Sequence, residues 1–322
     1  MKTKVKWGIM SAASIATEAV VPAMVKGEYC EVYAIASRNL TKAQQVASQF
    51  NISKSYGSYE DLLLDVLVEA VYIPLPNNLH VPWAIKALEA GKHVLLEKPV
   101  GMSSQEGQML LNESLKYPEL KIMEAFMYRH HPQWIKAKEL VDNGKIGELK
   151  TIQTSFSFYD DNPETIVNIK RFGGGSLMDI GCYPISLSRF LFNAEPVKAY
   201  AKIERHPIFG TDTLATGILE FEKGTSTFFS STLMEDNQRV QIFGSKGKIE
   251  IEVPFNPIPD KPAIMWLFHG FEKEEILIES CDQYTIQGDL FSQAIINNTP
   301  VPTPLEDAVT NMKVIESLIG DQ

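Results

Sequence analysis

Within the first 125 residues, short apolar runs alternate with stretches of helical periodicity, and no other feature constrains the fold as strongly. The runs are VKWGIM, EVYAIAS, AVYIPL, HVLLE and KIMEAF, separated by helical patterns at 14–26, 41–50, 79–90 and 103–117. Short apolar runs in strict alternation with helices predict βαβ units in a parallel, doubly wound sheet. After a further helix at 132–143 the grammar becomes strand after strand: LKTIQTSFSF, VKAYAKIE, DTLATGILEF, TSTFFSSTL, RVQIFG, KIEIEV and EEILIES. Several of these alternate polar with apolar residues, as an antiparallel sheet with one covered face requires. Helix returns only around 176–192 and near the carboxyl end. The expected fold class is therefore α/β, with a first domain over 1–124 and an α+β domain over 125–322.

The first turn of that βαβ series carries chemistry. In WGIMSAASIATEAV the strand ends in small residues and passes into a helix, as in a dinucleotide-binding turn, but without glycine. Ser11, Ala13 and Ala16 occupy the three glycine places, each of which has its own physical task. Alanine is small enough at Ala16 for close helix packing. At Ala13 it adds one methyl where the backbone approaches a pyrophosphate, which predicts a slight outward displacement of the cofactor. Ser11 contributes a hydroxyl able to bond a phosphate oxygen. With Ala12, Ser14 and Ile15 it forms the start of a helix whose unpaired N–H groups favour an anion. After the second strand, Ser37 and Arg38 stand where a carboxylate would select the unphosphorylated cofactor, and Lys42 follows one turn on. A hydroxyl and two cations suit a 2′-phosphate, so NADP(H) is expected over NAD(H).

Bulk properties exclude several other classes. A 322-residue chain with 44% hydrophobic and 22% charged residues can fill two cores, and its apolar runs are too short to span a bilayer. The start MKTKVKWG lacks the apolar stretch of a signal peptide, so a cytoplasmic location is expected. A formal charge of -10 opposes nonspecific binding to nucleic acid or an anionic membrane. Cys30, Cys182 and Cys281 are widely spaced and form neither a disulfide framework nor a zinc motif. His130 and His131, adjacent in MYRHHPQW, point apart on a helix and have no accompanying ligand, so no metal is expected.

Two more segments, PLPNNLHVPWAIKALEAGKHVLLEKPVG and RFGGGSLMDIGCYPI, complete a pattern that resembles the Gfo/Idh/MocA oxidoreductase family over nearly the whole chain. The chain is most similar to its NADP-dependent aldose (xylose) dehydrogenase and dihydrodiol dehydrogenase branch, which tolerates serine and alanine in the phosphate turn. The resemblance implies an N-terminal Rossmann domain that binds NADP. It also implies an open-faced, mainly antiparallel sheet in the substrate-binding and oligomerisation domain. It makes Lys98 the catalytic lysine, sets Glu97 beside the nicotinamide end, and has Pro74, Leu75, Asn77 and His80 border the cofactor. Asp179 and Tyr183 match the family's Asp-xxx-His/Tyr pair.

Alcohol oxidation by hydride removal also requires loss of the hydroxyl proton, so a base and a nearby cation both help. Lys98 follows the strand HVLLE at the carboxyl edge of the sheet, where such folds bind ligands. Tyr183 is assigned as acid/base, Lys98 as orienter and electrostatic stabiliser, and Asp179 as partner of a substrate hydroxyl. The GGG before this segment would let backbone pass close to a ligand. Ser176-x-x-Asp179 also reads as a capping box, which would make Asp179 structural. Aromatic and acidic residues in SFSFYDD suit a sugar, and Met127 stands where the dihydrodiol enzymes carry an aromatic residue. The expected function is NADP(H)-dependent hydride transfer at a carbinol or carbonyl carbon of a small polyhydroxy substrate. The alternatives are a trans-dihydrodiol dehydrogenase and a catalytically silent NADP-binding regulator. An open apolar sheet face predicts a homodimer.

Overall fold

The computed structural model describes residues 3–320. Strand β1 (Val5–Met10) is followed by a helix whose first turns, Ile15–Val20, are π-helical before α1 (Val21–Lys26). β2 (Cys30–Ala36) leads into α2 (Leu40–Phe50), where the Asn39 side chain accepts the Lys42 N–H and so starts the helix. The series continues through β3 (Lys54–Tyr56), α3 (Tyr59–Leu64), β4 (Ala70–Ile73), α4 (Asn77–Glu89), β5 (His93–Leu96), α5 (Ser104–Ser114) and β6 (Ile122–Glu124). The six strands are parallel in the order β3-β2-β1-β4-β5-β6. The order reverses between β1 and β4, which places a ligand crevice at the carboxyl edge of those strands. Trp7, Ile9, Ile35, Tyr72, Leu95 and Met123 are all fully buried in this unit's core.

After α6 (Pro132–Asp142), β7 (Leu149–Tyr159) opens the second sheet, and the chain then forms a π-helical turn at Leu177–Gly181 continued by α7 (Cys182–Phe192). Strands β8 (Lys198–Arg205), β9 (Asp212–Phe221), β10 (Gly224–Ser231), β11 (Leu233–Gly244), β12 (Lys248–Ile251), β13 (Ala263–His269) and β14 (Glu272–Ile278) complete it. Helices α8 (Gln283–Asn297) and α9 (Leu305–Gly320) end the described chain. The sheet runs β14-β13-β12-β11-β7-β10-β9-β8 and is antiparallel except for the parallel pair of β7 with β10.

The compact units are not single stretches of sequence. One comprises the chain up to Met127 with Asp282–Val309, and the other comprises Tyr128–Cys281 with the residues from Thr310. Helix α8 joins the parallel-sheet unit through specific contacts. Asp289 accepts the backbone N–H groups of Glu28 and Tyr29 at 3.0 and 2.8 Å, and Trp7 donates its indole N–H to Ser292 at 3.0 Å.

The periodicity of the sequence leaves β3, α3 and β13 undetected. β3 has three residues and α3 has six. β13, AIMWLFH, reads as continuously apolar because its outward residues are aromatic. Lys273 stands 3.4 Å from the Trp266 ring centre and Lys248 stands 4.2 Å from that of Phe268, so these rings face ammonium groups. The open face of the sheet thus sets aromatic and aliphatic side chains, with Tyr200, Ile218 and Leu277 exposed, beside charged groups. The same side carries Glu250, which accepts hydrogen bonds from Arg239, Gln241 and Lys248. A groove between β7, β9, β10 and β11 is lined by Gln153, Ser155, Thr216, Thr227 and Phe229 among others. Among the described residues, no helix is long and apolar enough to cross a membrane.

Candidate cofactor and catalytic residues

The turn after β1 and the end of β2 meet in one cleft of about 460 Å³. It is lined by Ser11, Ala12, Ala13, Ser37, Arg38 and Lys42, together with Asn39 and Tyr59. Ser14 and Ile15 lie exposed at the start of the following helix, outside this lining. Its first intrahelical bond runs from the Thr17 N–H to the Ala13 carbonyl at 3.0 Å. Earlier N–H groups of a helix have no intrahelical acceptor, and they face an anion site with favourable dipole. Ala16 is fully buried, so a methyl group is accommodated where the third glycine would allow helix and strand to pack. Ser37 is buried and its hydroxyl accepts the Asn39 N–H at 3.2 Å, while Arg38 and Lys42 are exposed. The small turn, the helix start and the two cations fit a dinucleotide carrying a 2′-phosphate.

Beyond β4, Pro74 and Leu75 are buried, and Asn77, half-buried, begins α4. His80 on that helix is 1% exposed, and its two ring nitrogens lie 2.7 Å from the Leu75 and Pro99 carbonyl oxygens. Burial and, to a lesser degree, the Lys98 ammonium draw its pKa down to about 4, against the opposite pull of the two carbonyls. Beyond β5, Glu97 is buried. It accepts the Tyr72 hydroxyl at 2.6 Å and the Lys98 backbone N–H at 3.2 Å. Lys98 is half-buried and precedes a cis peptide to Pro99.

Tyr284, at the start of α8, belongs to the same neighbourhood and escaped the sequence reading. Burial raises its phenol pKa; the Glu97 carboxylate adds to the shift and the Lys98 ammonium opposes it. No local motif marks Tyr284. Only the docking of α8 brings it near residues almost two hundred positions earlier.

In the second unit, Asp179 lies in the π-helical turn and Tyr183 in the first turn of α7. The capping box does not form. Ser176 directs its hydroxyl to Ser230, and the Asp179 N–H bonds the Gly175 carbonyl at 3.0 Å. Instead the Asp212 carboxylate, from β9, accepts the Leu177 N–H at 2.7 Å. Burial raises the Asp212 pKa despite this bond. Two glycines of the run are also closely packed within the protein. A Cβ on Gly175, whose φ is +128°, would stand 2.0 Å from Asp212 Oδ1, and one on Gly174 would stand 2.4 Å from the Val167 carbonyl. The close approaches at these positions are therefore to the protein itself.

Tyr183 is 5% exposed, with the rings of Tyr128, Phe156 and Phe255 at centroid distances of 5.6, 5.5 and 5.1 Å. Phe156 comes from the SFSFYDD stretch, whereas Tyr159 and Asp161 are exposed. Arg129 lies over the Phe190 ring, 4.4 Å from its centre. Among the described residues, no three His, Cys, Asp or Glu side chains gather as a metal-ligand set.

A doubly wound parallel sheet with an anion-suited cleft at its first turn, in one chain with an open eight-stranded sheet, defines a dinucleotide-dependent oxidoreductase. Residues 5–120 match the oxidoreductase family model described as an NAD-binding Rossmann fold, and residues 134–250 match the GFO/IDH/MocA C-terminal domain. The chain belongs to the Gfo/Idh/MocA oxidoreductase family and is an NAD(P)-dependent oxidoreductase. An uncharacterised oxidoreductase of Rhizobium meliloti, ORF334, is 42% identical, the match covering 98% of this chain and 96% of the relative. The D-xylose 1-dehydrogenase (NADP(+)) 2 of Haloferax volcanii is 34% identical over 97% of this chain and 95% of its own. The structure of KijD10, a 3-ketoreductase from Actinomadura kijaniata in complex with NADP and TDP-benzene, superposes with a TM-score of 0.91. It is 27% identical over 98% of this chain and 97% of that one.

Proposed function

We propose that this protein catalyses NADP(H)-dependent hydride transfer at a carbinol or carbonyl carbon of a sugar or related polyhydroxy compound. The observation that carries the reading is the cleft joining the Ser11–Ala13 turn to Ser37, Arg38 and Lys42. The similarity to an NADP(+)-dependent xylose dehydrogenase and to a ketoreductase in complex with NADP supports the same cofactor. The unit built on the chain up to Met127 together with Asp282–Val309 is assigned to cofactor binding, and the unit built on Tyr128–Cys281 to substrate binding and oligomerisation.

When bound, the nicotinamide accepts the hydride in alcohol oxidation and supplies it in reduction. Ser11, Ala12, Ala13, Ser14 and Ile15 hold the pyrophosphate through backbone N–H groups and the Ser11 hydroxyl. Ser37, Arg38 and Lys42 receive the 2′-phosphate, and Pro74, Leu75, Asn77, His80 and Glu97 belong to the edge that bounds the nicotinamide. In the first unit, the Lys98 ammonium stabilises negative charge on the substrate oxygen. In the second, Tyr183 as a phenolate takes the hydroxyl proton during oxidation and as a phenol returns it during reduction, while Asp179 accepts from a neighbouring substrate hydroxyl. Cys30, Cys182 and Cys281 form no disulfide with one another, which suits a reducing compartment, so the cytoplasm is the proposed location. A homodimer paired through the second unit's sheet completes the reading.

The test is a panel of aldoses, polyols, trans-dihydrodiols and nucleotide-linked sugars, assayed with NADP+ and, for carbonyl compounds, with NADPH by cofactor absorbance. Turnover of an aldose or polyol with NADP+ is expected. Turnover confined to dihydrodiols would replace the substrate assignment, and tight NADPH binding without turnover of any compound would leave a regulator.

A further inference from the structure

His80 is buried on a helix yet spends neither ring nitrogen on a side chain. Nδ1 lies 2.7 Å from the Pro99 carbonyl and Nε2 lies 2.7 Å from the Leu75 carbonyl. Leu75 is in the segment leaving β4, and Pro99 is in the segment leaving β5, immediately after Lys98. One side chain thus spans the two neighbouring segments at the carboxyl edge of the parallel sheet. Both partners are acceptors only. A neutral imidazole has one N–H to offer, so it donates to one carbonyl and presents a lone pair to the other, whereas an imidazolium would donate to both. An apolar side chain would fill a buried helix position without this polar burden, and burying a polar group is costly unless its bonds are made. The cost is explained if the bridge holds something in place, and the group next to it is Lys98.

We infer that His80 is a positioning residue: its one N–H bond to a carbonyl, and its buried ring lodged between the Leu75 and Pro99 carbonyls, fix the backbone that presents the Lys98 ammonium. Pro99 and Val100 are buried, so the carboxyl side of Lys98 is held by packing as well as by the ring. On the amino side, the Glu97 carboxylate accepts the Lys98 N–H at 3.2 Å and is itself held by the Tyr72 hydroxyl. Lys98 is therefore anchored on both flanks, and His80 is the anchor that also ties in the segment after β4. The inference rests on the reading of Lys98 as the electrostatic stabiliser, but the bridge itself can be tested without turnover.

The full-length protein is compared with His80→Phe, which keeps a ring and removes both nitrogens, and with His80→Gln, which keeps an amide donor. Four quantities are measured: kcat and KM on a substrate from the panel, the Kd for NADPH by fluorescence titration, the thermal midpoint, and the rate of reductive methylation of Lys98 by mass spectrometry. His80→Phe is expected to lower kcat by about tenfold or more, a larger factor than the one by which it raises the Kd for NADPH. Lys98 should be methylated about threefold faster or more as its backbone loosens, and His80→Gln should recover part of both effects. Unchanged kcat and unchanged methylation in a folded His80→Phe protein would overturn the inference. So would losses of kcat and NADPH binding that merely follow a lower thermal midpoint. Where His80→Phe does not fold, His80→Gln is compared with the unsubstituted protein by the same criteria. If no panel compound is turned over, the catalytic reading of Lys98 fails, while the methylation rates still decide whether His80 fixes its backbone.

Discussion

Arg38 is the residue at which charge alone discriminates between the two cofactors. It is exposed at the rim of the cleft after β2, with Lys42 one turn away on α2. An exposed cation on a phosphate is partly screened, so its loss should weaken binding by about 1–2 kcal/mol, roughly tenfold. Arg38→Asp adds repulsion to that loss, and the preference for NADPH over NADH should disappear or reverse; equal affinities in the unsubstituted protein would remove the 2′-phosphate assignment. Ser11 contributes less. A single hydrogen bond nets about 1 kcal/mol, so Ser11→Ala should raise the NADPH Kd by about threefold to tenfold, and an unchanged titration would show that the hydroxyl points elsewhere. Lys98→Met should leave that Kd within a few fold while turnover collapses by about a thousandfold or more, because only the transition state develops the charge that the ammonium stabilises. Retained turnover would exclude the catalytic role.

The elements differ in how far the sequence discloses them. β1, β2, β4, β5 and β6 are legible because parallel strands buried on both faces read as apolar runs, and the helices between them carry their own period. The cleft residues are legible for a related reason, since Ser11, Ala13, Ser37 and Arg38 stand at fixed offsets from those strands. What stays hidden is set by contacts between distant parts of the chain. Asp289 reaches Glu28 and Tyr29, Tyr284 is carried toward Glu97 and Lys98, and Asp212 supplies the acceptor for Leu177 that Ser176 does not. None of these is a local pattern. The start of the Asp179–Tyr183 helix is accordingly predicted to depend on Gly175. A Gly175→Ala substitution must place a side chain at a φ of +128° and 2.0 Å from Asp212. It should destabilise the protein by about 2–4 kcal/mol, seen as a lower urea midpoint, whereas Gly91→Ala, with open space around it, should cost less although its φ is also positive. Equal effects would mean that Asp212 yields at no cost.

The pH dependence of stability belongs to the whole molecule, because each unit buries histidines whose neutral form it favours. His80 lies in the parallel-sheet unit, and His130 and His131 lie in the other; desolvation is the largest influence on each and draws each pKa from 6.5 down to about 4. A group that binds its proton less readily when folded makes stability rise with pH, since the unfolded chain then holds more protons. The contribution is fully present above the unfolded value of 6.5 and is lost as pH falls through about 4. Each pKa unit is worth about 1.4 kcal/mol, so three such groups can remove several kcal/mol across that window. Asp212 works in the opposite direction, because burial raises its pKa and acid relieves the cost of its charge, but it is one group against three. The thermal midpoint should therefore decline steadily as the pH is lowered from 6.5 to 4, beginning above the range in which ordinary carboxylates titrate. Substituting His80 by Gln should flatten that decline by removing one of its three sources, whatever the substitution does to the midpoint at neutral pH. Calorimetry across the window decides the matter: a midpoint independent of pH down to 4 would mean that these histidines are protonated in the folded protein, with both carbonyls beside His80 accepting from an imidazolium.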